Sequence, residues 1–484
     1  MSIIFHGGFQ MSQKFPISKL TLALLALPAA SLTHAAGLDR SGQDIKGFFN
    51  DGTYAEVDFA YIDTKVSAHD NAGLIVNGKP SVGITKTEAE YAKGQSTGNA
   101  TDDTYSFMRY GVKTDINDNL SIGVFYDEPW GAEVEYKGDS NFVSKEGQLT
   151  LVDPSTGTSL PNEKINSSVL DENYDKHTNV SVHTETWTGL LGYKSGGFQV
   201  YGGPVLQKAK AEVHLRGNAY GPLTGYDANV NSDTDYGWVA GIGYSIPEIA
   251  LKANLTYRSE IEHNAKIAER IPLLSGDPVL GPLSLKQIAL GKLGITPDSE
   301  LYDAISEYAT SNAKVKTPES VNLNIETGLS EKYQLLGTLD VRWVPWSDFS
   351  IVPPFYNAYS KAAESEDIPV AEREGLPLLS YDKDQWKVDV GLAKRFNEKL
   401  AGSVVVGYDS GAGNPVSSLG TVDGFYSIGG GVKYNMTPEW AISVGGKYLK
   451  FGDATGELPN GSIVSKAKDN DGYIAGVKLS YQSL

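Results

Sequence analysis

This chain of 484 residues contains no cysteine, and it has only 4 methionines and 7 histidines. The absence of cysteine excludes a disulfide-stapled scaffold and thiolate metal sites. Basic residues are also in deficit, because 41 Lys and Arg stand against 59 Asp and Glu, for a net charge of −18. Such an acidic protein is a poor match for nucleic acid. No apolar run reaches the roughly 20 residues that a membrane-spanning helix needs.

Chemistry-bearing patterns are scarce as well. The few histidines show no H-x-x-x-H spacing for a metal, although a serine and a histidine on neighbouring strands would need no sequence signature. Acidic loop residues such as Asp102 and Asp103 are better explained as a solvated face than as cation ligands. We therefore predict that the protein is not an enzyme, with no cofactor and no metal site.

The N-terminus has the features of a secretion signal. The apolar run Leu20–Leu27 follows two lysines, and Thr33 and Ala35 place small residues at the −3 and −1 positions of a cleavage site. We predict a signal peptide over residues 1–35 and export from the cytoplasm.

High glycine (53) and tyrosine (27) contents favour β structure with many turns. Tight turns are predicted at 116–119, 194–197, 246–248, 330–332, 397–399 and 435–438. Long polar loops are predicted at 67–102, 138–180, 217–234, 263–317, 350–383, 411–420 and 453–469. These connections separate about 14 segments in which apolar and polar side chains alternate. Short turns on one side and long loops on the other are typical of a bacterial outer-membrane barrel.

The predicted fold class is therefore all-β: a transmembrane antiparallel β-barrel of about 14 strands over residues 52–484. A soluble β-sandwich would alternate too, but strands of ten or more residues and the asymmetry of the connections favour the barrel. Aromatic residues near strand ends predict two membrane-interface girdles. The expected girdle residues are Trp130, Tyr136, Trp187, Tyr193, Trp343, Trp346, Trp440 and Tyr448.

Alternation also assigns faces to the strands, since successive side chains point to opposite sides of a sheet. Between residues 208 and 216, the even positions are charged and the odd positions are apolar. The even set is predicted to face the lumen, where it would offer cations to an anionic ligand. The predicted lumen cations are Lys208, Lys210, His214, Arg216, Arg258 and Arg342.

Several stretches of the barrel resemble the FadL-type long-chain fatty acid transporters of Gram-negative outer membranes. The stretches are YGWVAGIGY (236–244), LTYRSEIE (255–262), TPESVNLNIETGL (317–329), WVPWSDF (343–349) and INDNLSIGVFYDEPWGAEVEY (116–136). The resemblance covers the chain from about residue 53 to its end. It implies a barrel of fourteen strands with an N-terminal hatch inside.

The resemblance also implies a kink in the third strand that opens the wall sideways. Pro129 and Gly131 match that position, because proline removes a ladder donor and glycine loosens a strand. The alternative is that these residues only end the strand. The chain departs from the family at the hatch, since residues 36–51 form a segment less than half the usual length and lack the Asn-Pro-Ala element.

The loop at 263–317 is unusually apolar for an external loop. We expect two short helices around residues 294–297 and a ligand-capture surface there, because an apolar patch facing water often marks a binding site. Packing of the loop as a cap over the barrel is the alternative. The loop residues predicted to bind ligand are Leu283, Leu285, Ile288 and Leu293.

The leading functional hypothesis is passive uptake of a hydrophobic ligand, most simply a long-chain fatty acid, across the outer membrane. Uptake of aromatic or alkane hydrocarbons, a porin for polar solutes, and a surface adhesin or phage receptor are the alternatives. The expected partners are the ligand, outer membrane lipid and lipopolysaccharide, and the protein is expected to be a monomer.

Overall fold

The computed structural model describes a single β-sheet closed on itself. The described residues are 37–70, 75–76, 79–80, 96–101, 104–138, 140–144, 177–270, 279–280, 283–284, 309–363 and 375–483. Both the predicted signal peptide and most of the loop 263–317 lie outside these residues.

Within the described residues, fourteen antiparallel strands form the barrel, which confirms the predicted fold. The strands are β1 Thr53–Asp70, β2 Thr104–Asp115, β3 Leu120–Asp127 with Gly131–Glu135, β4 Asn179–Ser195, β5 Phe198–His214, β6 Asp227–Ile246, β7 Leu251–Arg258 with Ile261–Arg270, β8 Ala309–Thr317 with Ser320–Ser330, β9 Leu335–Val344, β10 Gln385–Arg395, β11 Leu400–Asp409, β12 Phe425–Asn435, β13 Trp440–Phe451 and β14 Asp471–Ser483. The pairing of β1 with β14, from Thr53 opposite Ser483 onward, closes the barrel. Closure leaves no strand edge with unpaired backbone N–H and C=O groups exposed to the bilayer.

Two of the tight turns are fixed by an asparagine side chain. The side-chain oxygen of Asn117 accepts hydrogen bonds from the N–H groups of Asn119 and Leu120, both at 2.9 Å. Asn397 does the same for Lys399 and Leu400, also at 2.9 Å. A side chain that mimics a backbone turn in this way fixes the hairpin and its register.

In the lower part of the barrel, the outside is apolar and the inside polar. In β7, Leu255 is exposed on the outer wall, whereas Asn254, Thr256 and Arg258 are buried towards the lumen, as the alternation predicts. An apolar belt around a closed barrel is the surface that a bilayer covers. No helix among the described residues has the length and apolarity to cross a membrane.

Above this belt the polarity of the wall reverses, and the orientation predicted for Lys208 and Lys210 is wrong. Both side chains are exposed, and their neighbours Gln207 and Val213 are buried instead. Lys208 lies opposite Glu185 in the strand pairing, two residues beyond the outward-facing Trp187. Outside the bilayer, water solvates the outer face, and the apolar side chains turn inward to a core.

That inner core sits at the loop end of the barrel. It includes Phe142, Tyr226, Ile267 and Tyr356, and the helix α1 (Pro354–Ala363) contributes to it. Four 3₁₀ turns (Lys46–Phe49, Asn218–Leu223, Pro247–Ile249 and Trp346–Asp348) complete the helical elements of the described residues. Short strands outside the wall lie at Ile75–Val76, Lys79–Pro80, Ser96–Thr101, Val279–Leu280, Leu283–Ser284, Ser350–Ile351, Leu379–Ser380, Val416–Ser417, Ala454–Glu457 and Ile463–Ala467.

Three residues assigned to the girdles, Trp130, Tyr136 and Trp346, belong to the interior instead, and Tyr136 is part of the inner core at the loop end. Trp187 and Trp440 are exposed on the outer wall as expected, but Trp130 and Trp346 are 1% and 0% exposed. Their rings pack edge to face, with centroids 5.4 Å apart, beside Leu38. The inward bend of the third strand at Trp130 explains the difference, because it turns this end of the strand away from the membrane.

A plugged lumen and a broken third strand

The N-terminal segment enters the barrel and packs against its inner wall. We call residues 37–52 the hatch segment. Its 3₁₀ turn brings Phe48 and Phe49 against the ring of Tyr201 on β5, at centroid distances of 5.9 and 5.1 Å. Phe48 is fully buried, so the segment packs closely against this part of the inner wall despite its short length. Open space remains beside it, between Lys46 and the wall residues Asp340 and Lys387.

Charged contacts hold the hatch segment to the wall. The guanidinium of Arg342 on β9 donates to both carboxylate oxygens of Asp39, at 2.7 and 3.2 Å. Lys46 Nζ lies 2.8 Å from Asp340 on the same strand. Burial alone would raise the pKa of Asp44, but the positive charges of Lys46 and Arg109 lower it well below its usual range. Arg342 thus faces the lumen as predicted, and its partner there is the hatch.

The third strand breaks where Pro129 and Gly131 were singled out. Residues 120–127 and 131–135 both pair with β4, but the three residues between them lie outside the ladder. Pairing of β3 with β2 ends at Tyr126 opposite Tyr110. Beyond that point, the hatch segment takes the place of β2: Arg40 N–H donates to the Pro129 carbonyl, and Gly131 N–H donates to the Leu38 carbonyl, both at 2.8 Å.

Beyond Tyr126, the described residues of β2 and β3 therefore form no ladder with each other, and we call this interruption the gap. The side chain of Arg40 enters the gap from the inside. Its guanidinium carbon lies 4.4 Å from the ring centroid of Tyr105 on β2. On the opposite side, a Cβ at residue 131 would lie 2.6 Å from the same carbon, so a larger residue there would have to displace the Arg40 side chain.

A cavity of about 760 Å³, part of it open to solvent, lies between the hatch segment and the inner core at the loop end of the barrel. Its lining includes Leu38, Val66, Val134, Val180, Leu419 and Phe451. Ala132 and Glu133 from the second half of β3 also line it, so the cavity adjoins the strand break. Among the described residues of its lining, only Glu133 and Tyr381 are ionisable, and none is a cation.

The remaining predicted lumen cations are not gathered into one anion site. On the outer wall, Lys208 lies 3.9 Å from Glu185. His214 and Arg216 both contact one carboxylate oxygen of Asp227, each at 2.6 Å.

Arg258 is buried in the lumen and donates to the Thr188 hydroxyl at 3.0 Å. Its Nε has no hydrogen-bond partner among the described residues.

The predicted capture loop is not tested by the structure. Leu285, Ile288 and Leu293 and the two expected helices lie outside the described residues, and only the backbone of Leu283 is described, paired with Leu280. Sequence reasoning missed Arg40 and Leu38, which stand at the break. The signal available was the GLDRSGQDIKGFF stretch itself, whose Phe48 and Phe49 are too apolar for a solvated tail.

No family model and no curated protein matches the sequence. Solved structures do match in three dimensions. A Pseudomonas aeruginosa FadL homologue superposes with a TM-score of 0.59 at 14% identity, over 95% of this chain and 99% of that one. The chain has the fold of the FadL-type barrels. The P. putida toluene transporter TodX superposes with a TM-score of 0.50 at 12% identity, over 90% and 91% of the two chains.

Proposed function

We propose that this FadL-type barrel is a passive outer membrane channel for small, uncharged hydrophobic molecules, which enter the cavity above the hatch segment and leave sideways at the break in β3. The observation that carries the proposal is the cavity. It is apolar, it adjoins the break, and its described lining offers no cation to a carboxylate.

The sideways route is supported by what lies below the cavity. The hatch segment and its ionic contacts, such as Lys46 with Asp340 and Asp39 with Arg342, occupy the direct path to the periplasm. A hydrophobic molecule would have to leave its apolar surroundings to pass these charges. The free energy of transfer would cost about 0.8 kcal/mol per exposed CH₂ group. Exit through the gap would let it leave the apolar cavity without passing these charges.

A long-chain fatty acid is the second candidate ligand, and Arg258 favours it. This buried guanidinium has a donor without a partner among the described residues, and a carboxylate is the natural acceptor for it. A polar-solute porin is less well supported, because the hatch segment lies inside the lumen and is held to the wall by ion pairs such as Asp39 with Arg342. The adhesin or phage-receptor alternative depends on the long loops.

The test compares an alkane with the fatty acid of the same chain length, measured as uptake by a deletion strain that produces either this protein or none. The proposal expects channel-dependent uptake of dodecane that exceeds that of dodecanoate. Larger uptake of dodecanoate, lost in Arg258→Gln, would favour the fatty acid instead. A large, steady single-channel conductance without uptake of either compound would contradict both and indicate a porin.

A further inference from the structure

The wall between β6 and β7 contains an interruption that is separate from the break in β3. Residues Val239–Ile246 pair with β7 from Leu251 to Arg258, and Asp227–Val230 pair with its other end. Between these two ladders, a bulge after Val230 shifts the register of β6. The N–H of Asn264 there donates to the carboxylate of Asp233 at 3.1 Å and not to a backbone carbonyl.

Three side chains that can bind a metal meet inside this interruption. One ligand atom from each of Asp233, Asp235 and His263 lies within 4.8 Å of the other two. The carboxylates belong to β6 and the imidazole to β7, so the cluster joins the two strands where their ladder is missing. His263 is 2% exposed, and the two aspartates are half-buried towards the lumen.

The hydrogen bonds around His263 determine which of its two ring nitrogens is unprotonated and directs a lone pair towards the carboxylates. Gln207 donates through its amide nitrogen to the Thr186 hydroxyl at 3.0 Å, and its oxygen accepts from Thr317 at 2.7 Å. The same oxygen lies 3.1 Å from His263 Nε2, which must therefore donate to it. In the neutral ring this leaves Nδ1 unprotonated.

His263 Nδ1 is buried and has no hydrogen-bond partner within the part of the chain that the structure describes, and it lies 3.8 Å from an oxygen of Asp233. A buried lone pair facing carboxylate oxygens is unfavourable unless a positive charge lies between them. In metal sites, the second ring nitrogen of a metal-binding histidine usually donates a hydrogen bond that fixes the tautomer and the orientation of the ring. Gln207 accepts such a hydrogen bond from His263. The remaining solvent exposure of the aspartates provides an entry path for an ion.

We propose that Asp233, Asp235 and His263 bind one divalent transition-metal cation, with Zn²⁺ as the best match. One imidazole nitrogen with carboxylate oxygens and an open position for water is a zinc donor set, whereas Ca²⁺ and Mg²⁺ prefer oxygen alone. Zinc–ligand bonds of about 2.1 Å place adjacent ligand atoms about 3.4 Å apart. The observed 3.8 Å needs only a small contraction. The ion would clamp β6 to β7 across the interrupted ladder.

The test uses the full-length, tag-free protein in detergent, stripped with a chelator and titrated calorimetrically with ZnCl₂ and, in parallel, with CaCl₂. We expect one Zn²⁺ per chain, no comparable Ca²⁺ binding, and a rise in the thermal unfolding midpoint with Zn²⁺. His263→Gln keeps a donor for Gln207 but removes the ligand, and we expect it to weaken Zn²⁺ binding more than about 100-fold. Asp235→Asn is the second variant if His263→Gln does not fold.

Glu262→Gln is the matched control, because Glu262 is the neighbour of His263, points outward and pairs with Lys314 at 2.9 Å. It should bind Zn²⁺ as the unaltered protein does. Absence of Zn²⁺ binding by the unaltered protein would overturn the proposal, and would indicate that a proton occupies the site. Equal Zn²⁺ affinity in His263→Gln and Asp235→Asn would overturn it as well. Neither result depends on the uptake measurements.

Discussion

The guanidinium of Arg40 lies over the ring of Tyr105, 4.4 Å from its centroid, and so joins the hatch segment to the edge of β2 that β3 abandons. The same side chain also packs against Gly131 on the other edge of the gap. Arg40 therefore spans the break in the wall. Arg40 belongs to the hatch segment and not to the barrel. A movement of the hatch segment would therefore also move the side chain that lies at the proposed exit.

Arg40→Ala should increase the rate of hydrocarbon uptake, since it removes the side chain that occupies the gap. The lost cation–π contact should also lower stability by about 0.5–2 kcal/mol. Uptake of dodecane by cells producing equal amounts of each protein is the measurement. Lys332→Ala removes another cation–π pair, with Tyr333 at a tight turn, and serves as the control. Unchanged uptake in Arg40→Ala would mean that the gap is not the route.

Gly131→Leu should have the opposite effect. Its side chain would displace the Arg40 guanidinium and fill the gap from the β3 side, reducing uptake towards that of cells without the channel. Overpacking at this point should cost about 1–3 kcal/mol of stability. In Gly189→Leu the new side chain points into lipid from β4, where the nearest atom to a Cβ is 3.6 Å away. Equal uptake by the two variants would exclude an exit at residue 131.

Asp39→Asn should loosen the hatch segment, because it leaves the buried guanidinium of Arg342 without its carboxylate. Breaking a buried ion pair from one side typically costs about 3–5 kcal/mol. We expect more frequent channel openings in planar bilayers and faster hydrogen exchange in residues 38–50. Glu260→Gln, which breaks an exposed pair with Lys316, should change neither. A hatch segment equally protected in both variants would contradict the assigned role of Asp39.

Glu269→Gln should loosen the start of α1 in the inner core. The buried carboxylate of Glu269 accepts the N–H groups of Phe355 and Tyr356, both at 2.8 Å, at the start of α1. An amide turns one of those acceptors into a donor and leaves a buried N–H unpaired, at a cost of about 1–3 kcal/mol. Faster hydrogen exchange at residues 355 and 356 is the measurement. Unchanged exchange rates would show that packing alone holds α1.

The strand alternation was sufficient for the closed barrel, because period-2 patterning and turn residues such as Asn117 and Asn397 act locally. The same alternation predicted the faces of Asn254 and Arg258 correctly, since they lie in the membrane belt. It failed at Lys208 and Lys210. Apolar side chains face lipid within the belt but face the inner core above it, and the sequence does not state where the bilayer ends.

The sequence by itself determined an acidic, cysteine-free chain of fourteen strands, with Pro129 and Gly131 marking a weak point in the third. Only the tertiary structure decided what fills that weak point and what lies behind it. Arg40 meets Tyr105 and Asp39 meets Arg342 across long chain separations. His263 meets Asp233 and Asp235 from a different strand, which is why no local spacing revealed the cluster. Contacts of this kind depend on which residues the closed barrel brings inside, and a linear pattern does not contain that information.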